Sequence, residues 1–332
     1  MLNQIFQLLS KLTIKKNSNF LIINLSYFLS LIFRLPIIWG LPFSISIEPS
    51  SLCNLNCKEC PSNKESNERE NGNMTINNYR NIIDKIYKHC IYLILYFQGE
   101  PFINPAFFEM IKYAGKKKIY TYSSTNGHFL NTINSEQIVS SGLNKLSISL
   151  DGTDQETYQK YRVDGNFDKV VEGIKTLVNT KKQLNSKHPY IELQFLVFKF
   201  NQHQINKIKT LGKELGVNKT VIKSAQIYNF SNKTDIIPDI NKYSRYRKNS
   251  TGKYIIKNKL KNRCKRLWQT TVITWQGNIL PCCFDKSENN KMGNILSTPF
   301  NRVWKNKAYT NFRKQILKNR SRINICNNCT EY

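Results

Sequence analysis

The feature that most limits the possible folds is a regular alternation of apolar and amphipathic segments from Phe43 to Lys223. Apolar runs such as Tyr92–Phe97 (YLILYF) are typical of buried parallel strands, whereas Phe167–Lys181 has apolar residues at helical spacing. Strands that alternate with helices predict a parallel sheet with crossover helices. Six such units in about 180 residues predict an α/β fold, a partial (β/α)6 TIM-like barrel, because the eight-unit form needs about 250 residues.

Polar motifs follow the predicted strands at their carboxyl ends. They are the Cys53–Cys60 loop after Ser44–Glu48, Gln98–Pro101 (QGEP), Thr125–Gly127 (TNG) and Asp151. In such barrels the carboxyl ends of the strands lie on one face, where the active site is formed. We therefore expect these motifs to contribute to one shared site.

The chain has nine cysteines, and eight of them fall into two groups. No short apolar run with a small-residue cleavage site opens the sequence, which argues against a secretory signal and favours a reducing, cytoplasmic location. In that setting, grouped cysteines are expected to bind metal rather than to form disulfides. The remaining one, Cys90, is predicted to be a buried thiol.

The first cysteine group is Cys53, Cys57 and Cys60, with the spacing C-x3-C-x2-C in a single loop. Three thiolates this close can bind three irons of a [4Fe–4S] cluster and leave the fourth iron open to another ligand. The alternative is a zinc loop, but zinc needs four ligands and none lies nearby in the sequence. His89 or Cys90 could supply one only through the tertiary fold.

The second group combines C-x12-G-x4-C, from Cys264 through Gly277 to Cys282, with a C-x2-C pair that follows after 43 intervening residues. Ile273–Leu280 reads as a β-hairpin with Gly277 in its turn, which would bring Cys282 back towards Cys264. Four thiolates from two separate pieces form a closed site, suited either to a [4Fe–4S] cluster or to structural zinc. The spacing alone does not separate these two.

Residues 43 to about 225 resemble the radical S-adenosylmethionine (AdoMet) superfamily, in which a C-x3-C-x2-C loop follows the first strand of a partial barrel. The resemblance implies that AdoMet chelates the open iron through its amino and carboxylate groups. One electron from the reduced cluster then splits the sulfonium into methionine and a 5′-deoxyadenosyl radical, which abstracts a substrate hydrogen.

The same resemblance assigns cofactor contacts. Gln98, Gly99, Glu100 and Pro101 resemble the family's Gly-Gly-Glu-Pro segment, which holds the methionyl amino group. Ser149 resembles a serine of the fourth strand that contacts the nucleoside or carboxylate, and Arg162 an arginine that meets the carboxylate. The sequence departs from the pattern at Glu59, a position often aromatic, and at Gln98, where the family has glycine.

The C-terminal segment resembles the auxiliary-cluster extension called SPASM or, in its shortened form, Twitch. This implies one auxiliary [4Fe–4S] cluster that aids substrate oxidation or modification, with Cys264, Cys282, Cys326 and Cys329 as ligands and Cys283 as an alternative to Cys282. We therefore expect an N-terminal helical segment (1–42), the radical SAM barrel (43–225), a linker (226–263) and a small cysteine-rich auxiliary-cluster domain (264–332).

The net charge is +28, from 50 basic and 22 acidic residues. An anionic partner such as a membrane surface or a phosphorylated substrate would explain it, but so would compositional drift, because Lys, Asn and Ile are enriched together throughout. No specific nucleic-acid binding is expected. Phe20–Phe33, at 14 residues, is too short for the roughly 20 needed to cross a bilayer. It is predicted to be a packed helix or, since Lys and Arg residues flank it, an interfacial one.

The sequence leaves the substrate open among small-molecule, lipid-linked and peptide classes. Only 42 residues precede the first predicted strand, few for the peptide-recognition domain of resembling peptide-modifying enzymes. The resemblance also implies an electron donor such as flavodoxin or ferredoxin, and the N-terminal segment allows peripheral membrane contact. The competing function class is a non-catalytic zinc or iron–sulfur module that binds an anionic partner.

Overall fold

The structure is a computed structural model that describes residues 2–63, 69–232 and 235–330. Its strands are β1 (Ser44–Ile47), β2 (Tyr92–Ile94), β3 (Tyr120–Thr125), β4 (Lys145–Ser149), β5 (Tyr190–Val197), β6 (Lys219–Ser224), β7 (Tyr246–Lys248), β8 (Tyr254–Ile256), β9 (Thr270–Ile273), β10 (Asn278–Leu280) and β11 (Gly293–Asn294). Its helices are α1 (Leu2–Leu9), α2 (Ile14–Phe33), α3 (Ile76–Ile86), α4 (Phe107–Lys116), α5 (Thr132–Ser140), α6 (Gln155–Gln159), α7 (Phe167–Gln183), α8 (Ile205–Glu214), α9 (Arg266–Gln269), α10 (Phe300–Trp304) and α11 (Lys307–Asn319). The predicted strand–helix alternation from β1 to β6 is confirmed.

Several helices begin where the sequence supplies a capping side chain. Thr75 caps α3 and Asn166 caps α7, each accepting a hydrogen bond from a backbone N–H of the first turn. Such a cap satisfies an amide that has no partner within the helix. Gly142 and Gly216, just beyond α5 and α8, have φ values of 76° and 70°, the left-handed conformation that ends a helix with little strain.

The described residues divide into two compact units. The first lies within Met1–Leu52, Ser66–Ser123 and Leu260–Tyr332, and the second within Cys53–Glu65 and Ser124–Lys259. In the first unit, β1 pairs in parallel with β2 and with β9, and β2 pairs in parallel with β3. The strands β9, β10 and β11 are successive antiparallel neighbours. The C-terminal segment is thus built directly onto the first strand.

The second unit contains β4, β5 and β6 as parallel neighbours. Ile148 and Phe195, on β4 and β5, are fully buried, as expected of strands covered on both faces. Residues 226–263, predicted to be a linker, carry the antiparallel pair β7–β8. Tyr246 of β7 is buried against Phe198 and Ile237, because the segment folds onto a small apolar cluster of its own.

The N-terminal segment forms α1 and α2, and α2 begins six residues before the predicted Phe20. Ile23 is fully buried, so the predicted packing of this helix is confirmed for one of its faces. Within the described ranges, no helix combines the length and the apolar character that crossing a bilayer requires. Cys90 is fully buried, as predicted.

Candidate functional site

The first cysteine group lies in the second unit, in the loop that follows β1 in the chain. Cys53, Cys57 and Cys60 are all free thiols; Cys57 is buried and the other two are half-buried. Two backbone hydrogen bonds of 3.2 Å fasten the loop, from the Asn56 N–H to the Val163 carbonyl and from the Lys58 N–H to the Tyr161 carbonyl. These bonds fix the loop against the segment that carries Arg162.

Two side-chain donors point at sulfur atoms of this loop. Arg162 Nη1 lies 3.7 Å from Cys57 Sγ, and Asn126 Nδ2 lies 3.9 Å from Cys53 Sγ. Asn126 belongs to the Thr125–Gly127 motif at the end of β3, which the sequence placed at the site without assigning it a role. Hydrogen bonds of this kind stabilise anionic thiolate sulfur and are typical of iron–sulfur clusters.

Arg162 is held by an ion pair with Asp151. Its Nη2 and Nε atoms both lie 2.7 Å from Asp151 Oδ2, and the Asp151 side chain is fully buried. Burial works to lower the pKa of the Arg162 guanidinium, but Asp151 and then Cys57 more than offset this and raise the pKa well above its usual range. For the Cys57 thiol, burial raises the pKa, and the nearby Arg162 guanidinium opposes this increase. A permanent positive charge therefore faces the Cys57 sulfur.

The Gln98–Pro101 segment lies in the first unit and turns sharply after β2. Gly99 has a φ of 67°, and a Cβ atom there would lie 2.5 Å from the Ser50 carbonyl oxygen, so only glycine fits. The Glu100 N–H donates a 2.7 Å hydrogen bond to the carbonyl of Leu52, the residue directly before Cys53 in the chain. The Gln98 amide donates to the Lys286 carbonyl at 2.6 Å.

Ser149 is the last residue of β4, and its side chain is buried. It lies two residues before Asp151, the residue whose carboxylate is ion-paired with Arg162. Glu59, at the position that is often aromatic in the resembling family, is also buried, and its Oε2 accepts a 2.9 Å hydrogen bond from the Tyr228 N–H. The roles of Ser149 and Arg162 in binding AdoMet stay predictions.

The second cysteine group surrounds one cavity in the first unit. The antiparallel pair β9–β10 confirms the predicted hairpin, with Gly277 at a φ of 83° in its turn. Four cysteines share the walls of the cavity with apolar side chains such as Leu267 and Phe312; they are Cys264, Cys282, Cys326 and Cys329. These are the four residues that the sequence assigns as auxiliary ligands.

Cys283 has different surroundings from Cys282. It packs against Phe97, Val272 and Leu280, and it is not among the residues that line the four-cysteine cavity. Its sulfur accepts a hydrogen bond from Arg266 Nη1 at 3.6 Å. The pKa of the Cys282 thiol is raised, first by a hydrogen bond with Cys283 and then by burial.

Arg320 also lines this cavity, and sequence reasoning missed it. Its Nη2 lies 3.1 Å from Cys329 Sγ, and its Nη1 donates to the Arg263 carbonyl at 2.9 Å. Burial lowers the pKa of the guanidinium, but Cys264 and Cys329 outweigh this and raise it. Burial also raises the pKa of the Cys326 thiol to about 11. A largely apolar cavity with two arginines, Arg266 and Arg320, among its lining residues suits a group bound by several thiolates.

In the part of the chain that the structure describes, no three His, Cys, Asp or Glu side chains are arranged to hold a single metal ion. The hydrogen-bond donors to the sulfurs of Cys53, Cys57 and Cys329 are a feature expected of a [4Fe–4S] cluster. Both cysteine groups therefore fit iron–sulfur clusters.

Comparisons with known proteins agree with this geometry. Residues 47–186 match the sequence model of the radical SAM superfamily, and residues 264–330 match that of the SPASM iron–sulfur cluster-binding domain. The protein is a radical SAM enzyme. More specifically, it belongs to those members that carry a C-terminal SPASM domain.

Several known proteins are similar to this chain in sequence or in structure. An AdoMet-dependent heme synthase of Methanosarcina barkeri is 29% identical over 176 residues, which span 53% of this chain and 48% of the relative. A tungsten-containing aldehyde ferredoxin oxidoreductase cofactor-modifying protein of Pyrococcus furiosus is 25% identical over 297 residues, which span 80% of this chain and 82% of the relative. The solved structure of Streptococcus suis SuiB bound to the precursor peptide SuiA has the same fold, with a TM-score of 0.63 at 15% identity over 83% of this chain and 67% of that one.

Proposed function

We propose that Cys53, Cys57 and Cys60 hold a [4Fe–4S] cluster at which AdoMet is reductively cleaved, and that the chain uses this to abstract a hydrogen atom from a substrate. The cluster and AdoMet would supply the one-electron cleavage of the sulfonium. The observation that carries the proposal is the pair of donors, Arg162 and Asn126, directed at two of the three cysteine sulfurs. A buried cation stabilises anionic thiolate ligands, whereas neutral cysteines in a solvent-exposed turn would gain nothing from it.

The residues proposed to bind AdoMet are Gln98–Pro101, Ser149 and Arg162. Gly99 lets the backbone take a turn that no side chain allows. Backbone carbonyls and the Glu100 carboxylate, whose Oε1 also accepts a 3.3 Å hydrogen bond from the Phe102 N–H, are suitable acceptors for an ammonium group. Arg162 carries a fixed charge, suited to a carboxylate, and Asp151 keeps its guanidinium in one orientation.

We assign the auxiliary [4Fe–4S] cluster to Cys264, Cys282, Cys326 and Cys329. The support is their common cavity and the direct contact of Arg320 with Cys329. Four thiolates close the coordination of such a cluster, so its proposed role is to pass electrons or to favour oxidation of the substrate rather than to bind AdoMet.

The proposed substrate is a small molecule, a lipid-linked molecule or a peptide, and the charge of the protein favours an anionic one. The heme synthase and the cofactor-modifying protein support the first class, and SuiB with its bound peptide supports the last. A net charge of +28 also suits an acidic electron donor such as flavodoxin or ferredoxin. We further propose a cytoplasmic location with peripheral membrane contact.

The test is anaerobic reconstitution with iron and sulfide, followed by addition of dithionite and AdoMet. We expect about eight irons per chain, as two clusters require, and formation of 5′-deoxyadenosine. The Cys57→Ala variant should form none, whereas Cys90→Ala should retain the activity because Cys90 lies outside both groups. Bound zinc with no 5′-deoxyadenosine from the unsubstituted protein would instead support a non-catalytic module.

A further inference from the structure

Helix α2 exposes many of its apolar residues. Ile14, Leu21, Leu25, Phe28 and Ile32 follow one another at intervals of seven, four, three and four residues and therefore share one helical face. This face is exposed: Ile14 is 86% accessible, Leu21 67% and Phe28 59%. A helix that only packs against its own protein has the opposite arrangement.

The side of α2 that faces the protein is partly polar. Lys16, Ser26 and Ser30 are buried there beside Ile23. Ser26 Oγ accepts a 3.0 Å hydrogen bond from the Trp39 N–H, and Ser30 Oγ accepts one of 2.9 Å from the Ile37 N–H. Rolling the helix to bury its apolar face would break these bonds and leave backbone amides without partners, so the orientation is fixed.

Other exposed apolar side chains lie before and after α2 in the chain. Together with the exposed face of α2 they define what we call the N-terminal apolar face: Ile5, Phe6, Leu9, Ile14, Leu21, Leu25, Phe28, Ile32, Phe33, Leu35 and Trp39. Scattered exposed apolar residues are normal, but a concentration of this kind within 35 residues marks a surface that something covers.

A cavity lined by lysines adjoins the beginning of the same helix. It has a volume of about 500 Å³, and Ile14 of the apolar face is one of its lining residues. Six lysines contribute to it: Lys15, Lys16, Lys88, Lys116, Lys117 and Lys118. Lys16 Nζ donates to the carbonyls of Lys11 and Lys118, and Lys117 is paired with Asp84. The positive charge that suits a phosphate group beside this helix N-terminus therefore comes mainly from the other lysines.

The charge of the segment selects among possible partners. Residues 1–47 contain no Asp or Glu, whereas Lys11, Lys15, Lys16 and Arg34 are basic. Two copies of this chain meeting through the N-terminal apolar face would bring like charges together with no acid to offset them. An anionic surface with an apolar interior complements both features at once.

We propose that the N-terminal apolar face docks on membranes containing anionic phospholipid, with the lysine-lined cavity on the headgroup phosphates. The helix lies in the interface and does not cross the bilayer, because its inner side remains bonded to the protein. This gives the proposed membrane contact a surface and a lipid class. It does not depend on the proposed radical chemistry.

Vesicle flotation of the reconstituted 332-residue chain tests the proposal. We expect it to float with vesicles of phosphatidylcholine and phosphatidylglycerol at low salt, to bind phosphatidylcholine alone much more weakly, and to be released by high salt. The double variant Leu21→Glu/Phe28→Glu should lose binding. Ile133→Glu/Leu184→Glu is the matched control, because it also adds two negative charges at exposed apolar positions, 67% and 53% accessible, that lie outside this face.

A second pair of variants tests the lysines. Lys15→Glu/Lys88→Glu/Lys116→Glu should weaken binding by at least about fivefold for each lysine removed. Lys207→Glu/Lys209→Glu/Lys213→Glu on α8 makes the same change in net charge and should bind nearly as well as the unsubstituted protein. Equal losses in the two triple variants would mean that net charge, not this surface, attracts the protein, and the proposal would be wrong.

Three further results would overturn it. One is failure of the unsubstituted protein to float with anionic vesicles, and another is undiminished flotation of Leu21→Glu/Phe28→Glu. The third is a dimer in light scattering that the double variant converts to a monomer, which would assign the face to a second copy. Formation of 5′-deoxyadenosine without vesicles should be unchanged in the double variant, so a failure of docking is distinguishable from a failure of the catalytic proposal.

Discussion

The side-chain amide of Gln98 lies 2.6 Å from the carbonyl oxygen of Lys286, and the Lys286 ammonium donates in return to the Phe97 carbonyl at 3.0 Å. The proposed AdoMet-binding segment is thereby bonded to the chain just after Cys282 and Cys283. A glycine, which the resembling family has at this position, could not make the side-chain bond. The departure from the family pattern thus joins two functional segments within one unit.

Replacing Gln98 should reveal the strength of this connection. Gln98→Ala removes a partly buried hydrogen bond and should lower the free energy of unfolding by about 1 kcal/mol, measured by anaerobic chemical denaturation. Gln276→Ala is the control, because its 2.6 Å bond to Glu70 is exposed and should contribute less. A smaller effect for Gln98→Ala than for Gln276→Ala would contradict the structural role.

The sequence predicts the strand–helix order and the two cysteine groups, because both depend on local pattern and spacing. It does not predict which charges meet the sulfurs. Arg320 stands nine residues before Cys329, and its approach depends on how the segment after α11 packs beside Cys264. The sequence indicates Asn126 only as part of a polar motif at the end of a strand and does not predict its contact with the Cys53 sulfur.

Helix α2 shows the same limit. Its composition predicts a helix, but which face packs inward depends on hydrogen bonds from the chain that follows. Ser26 and Ser30 accept bonds from the backbone of Trp39 and Ile37, and those partners lie outside the helix. Hydrophobic periodicity alone would have turned the apolar face inward.

The buried pair of Arg162 and Asp151 should dominate the stability of the second unit. Arg162→Met leaves the fully buried carboxylate of Asp151 without its cation and should lower the free energy of unfolding by about 3–5 kcal/mol. Lys160→Met is the control: its ion pair with Glu156 is exposed and should contribute less than about 1 kcal/mol. Chemical denaturation followed by circular dichroism measures the free energy of unfolding of both variants. Equal losses would contradict the larger contribution expected of the buried Arg162–Asp151 pair.

Iron analysis should separate Cys282 from Cys283. Cys282 lines the four-cysteine cavity and Cys283 does not. The iron content of Cys282→Ala after reconstitution should therefore be about four per chain, compared with about eight for the unsubstituted protein. Cys283→Ala should keep the full iron content. The reverse pattern would exchange the two roles.

The auxiliary cluster should respond to Arg320. Its guanidinium donates to the Cys329 sulfur, and a positive charge beside a cluster favours the reduced state. Arg320→Gln should therefore shift the midpoint potential of this cluster to a more negative value, as followed by electron paramagnetic resonance during a redox titration. Arg322→Gln changes an exposed neighbour by the same charge and should shift it much less. Equal shifts would show that the effect is only one of net charge.

His89 should make the protein sensitive to acid. The ring is buried and stacked on Phe300 at 5.5 Å, and burial, with a smaller effect of Lys16, lowers its pKa to about 3. Below pH 6.5 the His89 ring is protonated in the unfolded chain but stays neutral in the folded chain. Its effect on the free energy of unfolding is therefore most favourable above pH 6.5, and this stability is lost as the pH falls towards 3. From pH 7 to pH 5 the loss should be about 2 kcal/mol, and His89→Phe, which keeps a stacked ring, should not show it. Denaturation curves at the two pH values compare the variant with the unsubstituted protein. An unchanged pH dependence in His89→Phe would mean that another group governs the response to acid.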